Sequence, residues 1–320
     1  MTGIVEKALR LWGLSGAQYR LEAKRENQVF RIDHATGTYA MRLHRPGLRT
    51  DRELRSELDW MNAVAQGGLA VPHPIPARDG RVVQAIDGVQ IDVLTWLSGA
   101  PIGGTRTGLQ IEDRQKVFRS IGREMARLHD MSDAWPIPQD FDRPAWDVDG
   151  LVGETPVWGR FWENPALAPH DRETLIALRV VATDTLGQLA DSLDYGLIHA
   201  DLVRENVILD GDRVQFIDFD DCGFGYRLFD VATALFKNFH EPDFEHLKAA
   251  LFEGYRSHRR LDTRAFELFM ALRSATYVGW NIARMHEDGA IQRNTRFIQN
   301  AVAMAERALS TCPENKASRT

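Results

Sequence analysis

The stretch from Asn206 to Asp218 constrains this chain more than any other. Between these two residues runs Val-Ile-Leu-Asp210-Gly211-Asp-Arg-Val-Gln-Phe-Ile, two short apolar segments parted by a polar cluster. Short apolar runs bounded by turn residues read as strands, and Asp-Gly is a strong hairpin signal because both residues tolerate positive φ. Two antiparallel strands would carry the chain out from Asn206 and return it at Asp218, bringing both side-chain oxygens to one end of the hairpin. A hard divalent cation takes such ligands. The preceding run, Tyr195-Gly-Leu-Ile-His199, is another short apolar segment and delivers Asp201 to the same edge.

Asp201 lies in His199-Ala-Asp201-Leu-Val-Arg-Glu-Asn206, and Asp218 opens Asp218-Phe-Asp220-Asp221. Phosphoryl transfer from ATP uses a carboxylate near the acceptor hydroxyl, with a carbonyl-type oxygen and a second carboxylate for the magnesium that bridges the phosphates. Asp201, Asn206 and Asp218 fill those places in that order. The competing reading is a solvated acidic turn capping an unrelated hairpin. A calcium loop beginning at Asp218 fails, because Cys222 stands at its fifth position and Phe229 at its twelfth, where a Glu is needed.

In these segments the chain resembles the aminoglycoside phosphotransferase and choline kinase superfamily. The three family motifs appear in order as His199 to Asn206, Ile217 to Asp221, and Phe229-Asp230-Val231-Ala232. The likeness extends from about Asn27 into the helices after Ala232. It implies an α+β, two-lobed, protein-kinase-like fold: a small antiparallel β-sheet N-lobe with one main helix, and a larger, mostly helical C-lobe. The expected division is residues 1–97, binding nucleotide, and 98–312, carrying the catalytic loop and acceptor site, with 313–320 as a disordered tail.

Composition agrees. With 44% hydrophobic and 26% charged residues in 320, there is apolar material for two lobes. The net charge of -6 argues against an extended nucleic-acid surface. No stretch is apolar for long enough to span a membrane and the N-terminus lacks a signal-peptide core, so no membrane association and a cytoplasmic location are expected. Cys222 and Cys312 are too few for a disulfide framework and are expected to be reduced.

Periodicity predicts a helix over 4–14, strands over 19–22, 29–33 and 38–43 with Gly37 at a turn, and a helix over 51–65. Two further strands, 81–86 and 90–97, are divided by Asp87-Gly88. Helical patterns then occupy 113–130, 171–192, 229–239, 244–257 and 263–286.

The resemblance supplies candidate roles. The strand before the lobe connector suggests Leu94 to Trp96 as the purine site, with Trp96 as a plain core residue the alternative. Arg42 stands where protein kinases carry the strand lysine that grips the α and β phosphates, and a guanidinium can do so bidentately. Glu57 is its expected helix partner, chosen over Glu53; surface positions are the alternative for both. No phosphate-binding glycine signature is present. Asn27, in the polar turn at the place of the kinase glycine loop, is a candidate phosphate contact or an ordinary hairpin residue. Asp230 is expected to hold the catalytic loop through its backbone, with His199 in a similar role. Asp220 and Asp221 are either a second metal ligand or solvent-facing.

Two departures stand out. Val203 occupies the place of the Lys or His that neutralises the γ-phosphate, leaving that task to magnesium and Arg204. Ala200 replaces the usual Gly, as in the superfamily's homoserine kinases. Trp158, Arg160, Tyr277, Trp280 and Arg284 are the candidate acceptor residues, since aromatic walls and an arginine suit a small polar or carboxylate-bearing alcohol; helix packing is the competing reading of these aromatics. The expectation is an ATP- and Mg2+-dependent phosphotransferase for a small-molecule hydroxyl. A homoserine-like or protein Ser/Thr kinase is the near alternative, and a regulatory pseudokinase the distant one. Oligomeric state does not follow from the sequence.

Overall fold

A computed structural model describes residues 2–24, 26–105 and 107–311. Cys312 and the expected tail 313–320 lie outside the described residues. In chain order the elements are α1 (Thr2–Trp12), β1 (Gln18–Lys24), β2 (Gln28–His34), β3 (Gly37–Leu43), α2 (Asp51–Gln66), β4 (Val83–Ile86), β5 (Val89–Thr95) and the short β6 (Ala100–Pro101), β7 (Gly103–Gly104) and β8 (Gly108–Leu109). There follow α3 (Arg114–Ala134), β9 (Ala145–Trp146), α4 (Val148–Val152), α5 (Pro169–Leu189), β10 (Tyr195–Ile198), β11 (Val207–Asp210), β12 (Arg213–Phe216), β13 (Gly223–Tyr226), α6 (Arg227–Phe236), α7 (Phe244–Arg256), α8 (Phe266–Ile282) and α9 (Ala290–Thr311).

The chain forms two compact units. The first comprises Met1–Ile102, Asp130–Arg143 and Asn206–Asp220. A cut near Leu97 does not reach the last two segments. Its main sheet has the antiparallel order β1-β2-β3-β5-β4. Val5, Ala8, Leu9 and Trp12, one face of α1, are buried with Phe30, Ile32, Met41, Leu43, Ile91 and Val93 of the strands. That face follows from apolar residues at helical spacing. A capping box starts α2: Thr50 accepts from the Glu53 amide, and the Glu53 carboxylate accepts from the Thr50 amide. Asp87 and Gly88, both at positive φ (52° and 80°), turn β4 into β5 as their sequence predicts.

The hairpin of β11 and β12 pairs Val207 with Phe216 and Asp210 with Arg213. Its central residues are therefore Gly211 and Asp212, one step beyond the expected pair, and of the two residues expected to turn it only Gly211 takes positive φ, 59°. A glycine first in a two-residue loop suits a primed turn.

The second unit comprises Gly103–His129, Pro144–Glu205 and Asp221–Thr320. A small sheet, β10-β13-β9, stands among its helices. Every residue of α6 is buried. Helix α8 packs on α9 and α6, and α5 on α9. The expected helix list stopped at residue 286 and did not name α9, although its buried residues Ala290, Asn294, Ile298, Ala301, Ala305 and Ala308 recur at helical spacing. Cys222 is a buried thiol outside any disulfide. Among the described residues no helix is long and apolar enough to cross a membrane.

Candidate active site

In the second unit, β10 pairs with β13 and runs into His199-Ala200-Asp201. Asp230, in the first turn of α6 and fully buried, accepts hydrogen bonds from the His199 amide at 2.8 Å and the Ala200 amide at 2.6 Å. Ala200 is thereby held at φ 65°, a left-handed conformation that costs an L-residue about 1–2 kcal/mol. This is the physical reason a glycine suits that position. The Asp201 amide donates to His199 Nδ1 at 3.3 Å, so the histidine supports the same bend.

His129 Nε2 lies 3.1 Å from Asp230 Oδ2, and its Nδ1 lies 2.8 Å from the Tyr255 hydroxyl. Burial opposes the Asp230 charge, but the bond and charge of His129, with the His199 amide, hold its pKa below the ordinary value. For His129, burial and then the Arg227 charge bring the pKa down to about 4.

Asp201 keeps a side-chain exposure of 21%, and its Oδ1 accepts from Nη2 of Arg273 at 2.5 Å. The same nitrogen donates to the Tyr277 hydroxyl at 3.0 Å. Trp158 meets Tyr277 and Trp280 with ring centroids 5.5 and 6.3 Å apart, so three of the candidate acceptor residues are brought together. Arg284 lies over the Trp280 ring at 4.1 Å. Arg160 is instead spent on Glu154 and Glu163. Arg204 turns to Glu241 at 3.2 Å, and Val203 is buried.

In the first unit, the Ile217 amide donates to the Asn206 carbonyl at 3.0 Å, extending the hairpin ladder one step toward Asp218. Asn206 is buried, and Asp218 takes φ 68°. Asp220 is buried with no hydrogen bond to its Oδ1; Arg49 Nε is 4.0 Å away. The Asp220 carbonyl accepts from Arg49 and from Arg143. Asp221 lends its carbonyl to the Trp146 indole in the second unit. Among the described residues no group of three or more His, Cys, Asp or Glu forms a metal cage. Magnesium does not need one, because it binds through one or two carboxylates, waters and substrate phosphates. The all-oxygen set of Asn206 and Asp218, with the orphaned Asp220 oxygen beside it in sequence, fits that ion.

Arg42 on β3 is paired in register with Asp92 on β5. Its Nε and Nη2 donate to the two Asp92 oxygens at 2.9 and 2.8 Å, and its Nη1 donates to Glu57 at 2.6 Å. Burial opposes the Asp92 charge, yet Arg42 and His44 bring its pKa down to about 2. The second Glu57 oxygen, buried without a hydrogen bond, lies 3.8 Å from Arg143 Nη1. Asn27, in the β1–β2 turn, has a buried Oδ1 with no partner. Leu94 is buried. The Trp96 amide donates to the Thr38 carbonyl at 3.2 Å and the Thr95 amide to the His73 carbonyl at 3.0 Å, so neither is available to a purine. The Trp96 ring sits under Arg31 at 5.1 Å.

Residues 19–268 match the model of the phosphotransferase enzyme family. The chain belongs to that family. It is 24% identical over 263 residues to amicoumacin kinase of Bacillus subtilis, covering 80% of this chain and 74% of that one. It is 27% identical over 271 residues to homoserine kinase of Rhizobium meliloti, covering 82% and 76%. Among solved structures, a microcompartment-associated aminopropanol kinase superposes with a TM-score of 0.85 at 28% identity, covering 97% of this chain and 98% of that one. The protein is thus a phosphotransferase, and its fold is protein-kinase-like.

Sequence reasoning missed four residues that organise this phosphotransferase. Asp92 was legible as the one acid in the apolar strand Ile-Asp-Val-Leu, and Arg273 as the one cation in the apolar helix around it. A charge inside an otherwise buried run demands a partner. His129 and Arg143 carried no such signal, since each stands next to an aspartate, Asp130 and Asp142, in a mixed stretch of chain.

Proposed function

We propose that this phosphotransferase moves the γ-phosphoryl group of ATP, in a magnesium-dependent reaction, to a hydroxyl of a small polar molecule. The observation that carries this reading is the bend at Asp201. A left-handed Ala200 is held by two amide bonds to Asp230, which fixes a partly exposed carboxylate at the end of a strand. In this reading Asp201 orients the acceptor hydroxyl and takes its proton as the displacement proceeds in line. Asn206 and Asp218 would hold magnesium, which supplies charge neutralisation on the phosphates. Arg42, kept in place by Asp92 and Glu57, contributes cationic potential from the nucleotide side; three of its five N–H groups are already engaged. Asn27 adds an amide at the phosphate-side turn. A cytoplasmic site follows from the need for ATP.

Homoserine is the specific alternative among acceptors, on the strength of the Rhizobium meliloti relative. The test is ADP release with Mg-ATP across amino alcohols, homoserine, sugars, polyols and a generic protein, beside Asp201→Asn. Acceptor-dependent turnover that falls by about 10²–10⁴-fold in the variant supports the reading. Turnover that survives the substitution removes Asp201 from the reaction, and nucleotide binding without any turnover favours a regulatory pseudokinase.

A further inference from the structure

Helix α6 grips the catalytic loop at both ends. In its first turn Asp230 takes the amides of His199 and Ala200, where the loop begins. At its C-cap Lys237 extends an ammonium to Glu205, where the loop ends, with Nζ 3.0 Å from Oε2. Asp230 and Lys237 stand two helical turns apart on one face, about 10 Å along the axis. The second grip is firmly held. The Lys237 and Glu205 side chains are only 20% and 14% exposed. The other Glu205 oxygen accepts from Thr105 Oγ1 at 2.6 Å, and Lys237 Nζ lies 5.9 Å from the Tyr277 ring centroid, within cation–π range. Burial opposes the Lys237 charge, yet the charges of Tyr277, Glu205 and Asp201 hold its pKa above the ordinary lysine value. A cation at a helix C-terminus is also favoured by the helix dipole.

The residue after Glu205 is Asn206, whose side-chain oxygen the reading above assigns to magnesium. Resting on that reading, we propose that Lys237 is a positioning residue for the metal: through Glu205 it fixes the exit of the catalytic loop, and so the place from which Asn206 reaches the ion. Asp230 does not set that place from the loop's entrance. Residues 201–205 lie between, outside any helix or strand, and each brings two soft dihedral angles. Magnesium accepts little departure from octahedral geometry, so a ligand misplaced by about 0.5 Å binds it less well. Charge alone has the opposite sign. Removing an ammonium from the neighbourhood of a dication leaves the local field more negative and favours the metal. A weakened metal site in a Lys237 variant is therefore the mark of lost position and not of a changed field.

The test measures, by calorimetry on the full chain, the affinity of the non-hydrolysable nucleotide AMP-PNP with and without Mg2+. The ratio of the two reports the metal's hold on the complex and needs neither acceptor nor turnover. In Lys237→Met that ratio should fall by at least about tenfold, while the metal-free affinity stays within about twofold of wild type. Lys237→Arg, which keeps the ion pair, should restore most of the ratio. In turnover assays the Mg2+ concentration for half-saturation should rise in Lys237→Met in parallel. An unchanged or increased ratio in Lys237→Met overturns the proposal. So does a raised acceptor KM with the ratio intact, which would put Lys237 at the acceptor instead. If Lys237→Met melts too low to titrate, because Glu205 has lost its cation, the double variant Lys237→Met with Glu205→Gln decides. It removes both charges, and a ratio that stays low supports lost position, whereas a wild-type ratio overturns it. If Mg2+ leaves the wild-type affinity for AMP-PNP unchanged, the metal reading of Asn206 and Asp218 fails first, and the proposal falls with it.

Discussion

Arg42 and Asp92 face each other as a register pair on adjacent strands, joined by two parallel N–H···O bonds of 2.9 and 2.8 Å, while Glu57 takes a third N–H of the same guanidinium. The strand-to-helix ion pair expected from the sequence is present, but it is the lesser half of the arrangement. Asp92 fixes the plane of the guanidinium, and Glu57 fixes its reach.

Removing Asp92 leaves two N–H groups of the buried Arg42 guanidinium unmatched, with Glu57 still on the third. Asp92→Ala should cost about 3–5 kcal/mol of unfolding free energy in urea. The triple variant Arg42→Met, Asp92→Leu and Glu57→Leu should recover most of that loss, because it removes the whole triad of charges. A triple variant as unstable as the single one would mean the penalty arises from packing and not from the unmatched guanidinium.

Arg143 links two parts of the first unit to which the proposed reading gives nucleotide and metal roles. Its buried guanidinium reaches the Asp220 carbonyl, two residues past Asp218, and lies 3.8 Å from the Glu57 carboxylate. Arg143→Met should release the segment after Asp218 and lower kcat on the order of 10²-fold, as small misplacements of reacting groups do, with the acceptor KM little changed. Magnesium titration of the variant should show a raised requirement. Unchanged kcat and magnesium dependence would reduce Arg143 to a packing residue.

Acid stability should fall in two steps. The folded pKa of His129, about 4, lies below the ordinary 6.5, so an unfolding chain takes up a proton that the folded one refuses. Its contribution is complete above pH 6.5 and is lost as pH falls toward 4; the gap corresponds to about 3 kcal/mol. Asp92 has its folded pKa lowered from 3.8 to about 2, so its contribution is present above 3.8 and is lost as pH falls through 2. Urea midpoints measured against pH should therefore decline first between 6.5 and 4, and His129→Gln should flatten that first decline alone.

Two helices of the second unit cross at glycines. A Cβ on Gly122 of α3 would lie inside the van der Waals envelope of the Leu251 carbonyl, and one on Gly254 of α7 inside that of the Arg119 carbonyl. Both contacts are to backbone, which cannot swing aside. Gly122→Ala should destabilise by about 1–3 kcal/mol or more despite the better helix propensity of alanine. A thermal melt equal to or above the wild type would show that the helices can part without loss.

Much of this protein was written in local sequence. The hairpin of β11 and β12, the Asp87-Gly88 turn, the amphipathic α1 and α2, and the ordered motifs around Asp201, Asn206, Asp218 and Asp230 depend on neighbours a few residues away, where periodicity, turn chemistry and spacing act. The turn at Gly211-Asp212 fell one residue from its expected place because two adjacent hairpin registers differ little in local terms, and strand pairing chooses between them. Partners of buried charges were a different matter. Asp92 lies 50 residues from Arg42, and Arg273 lies 72 from Asp201. Nothing local says which charge a folded chain will bury against which. A buried ion must find its counterion wherever packing leaves one, so the sequence by itself determined the chemistry this phosphotransferase carries, and only tertiary structure decided which residues hold it in place.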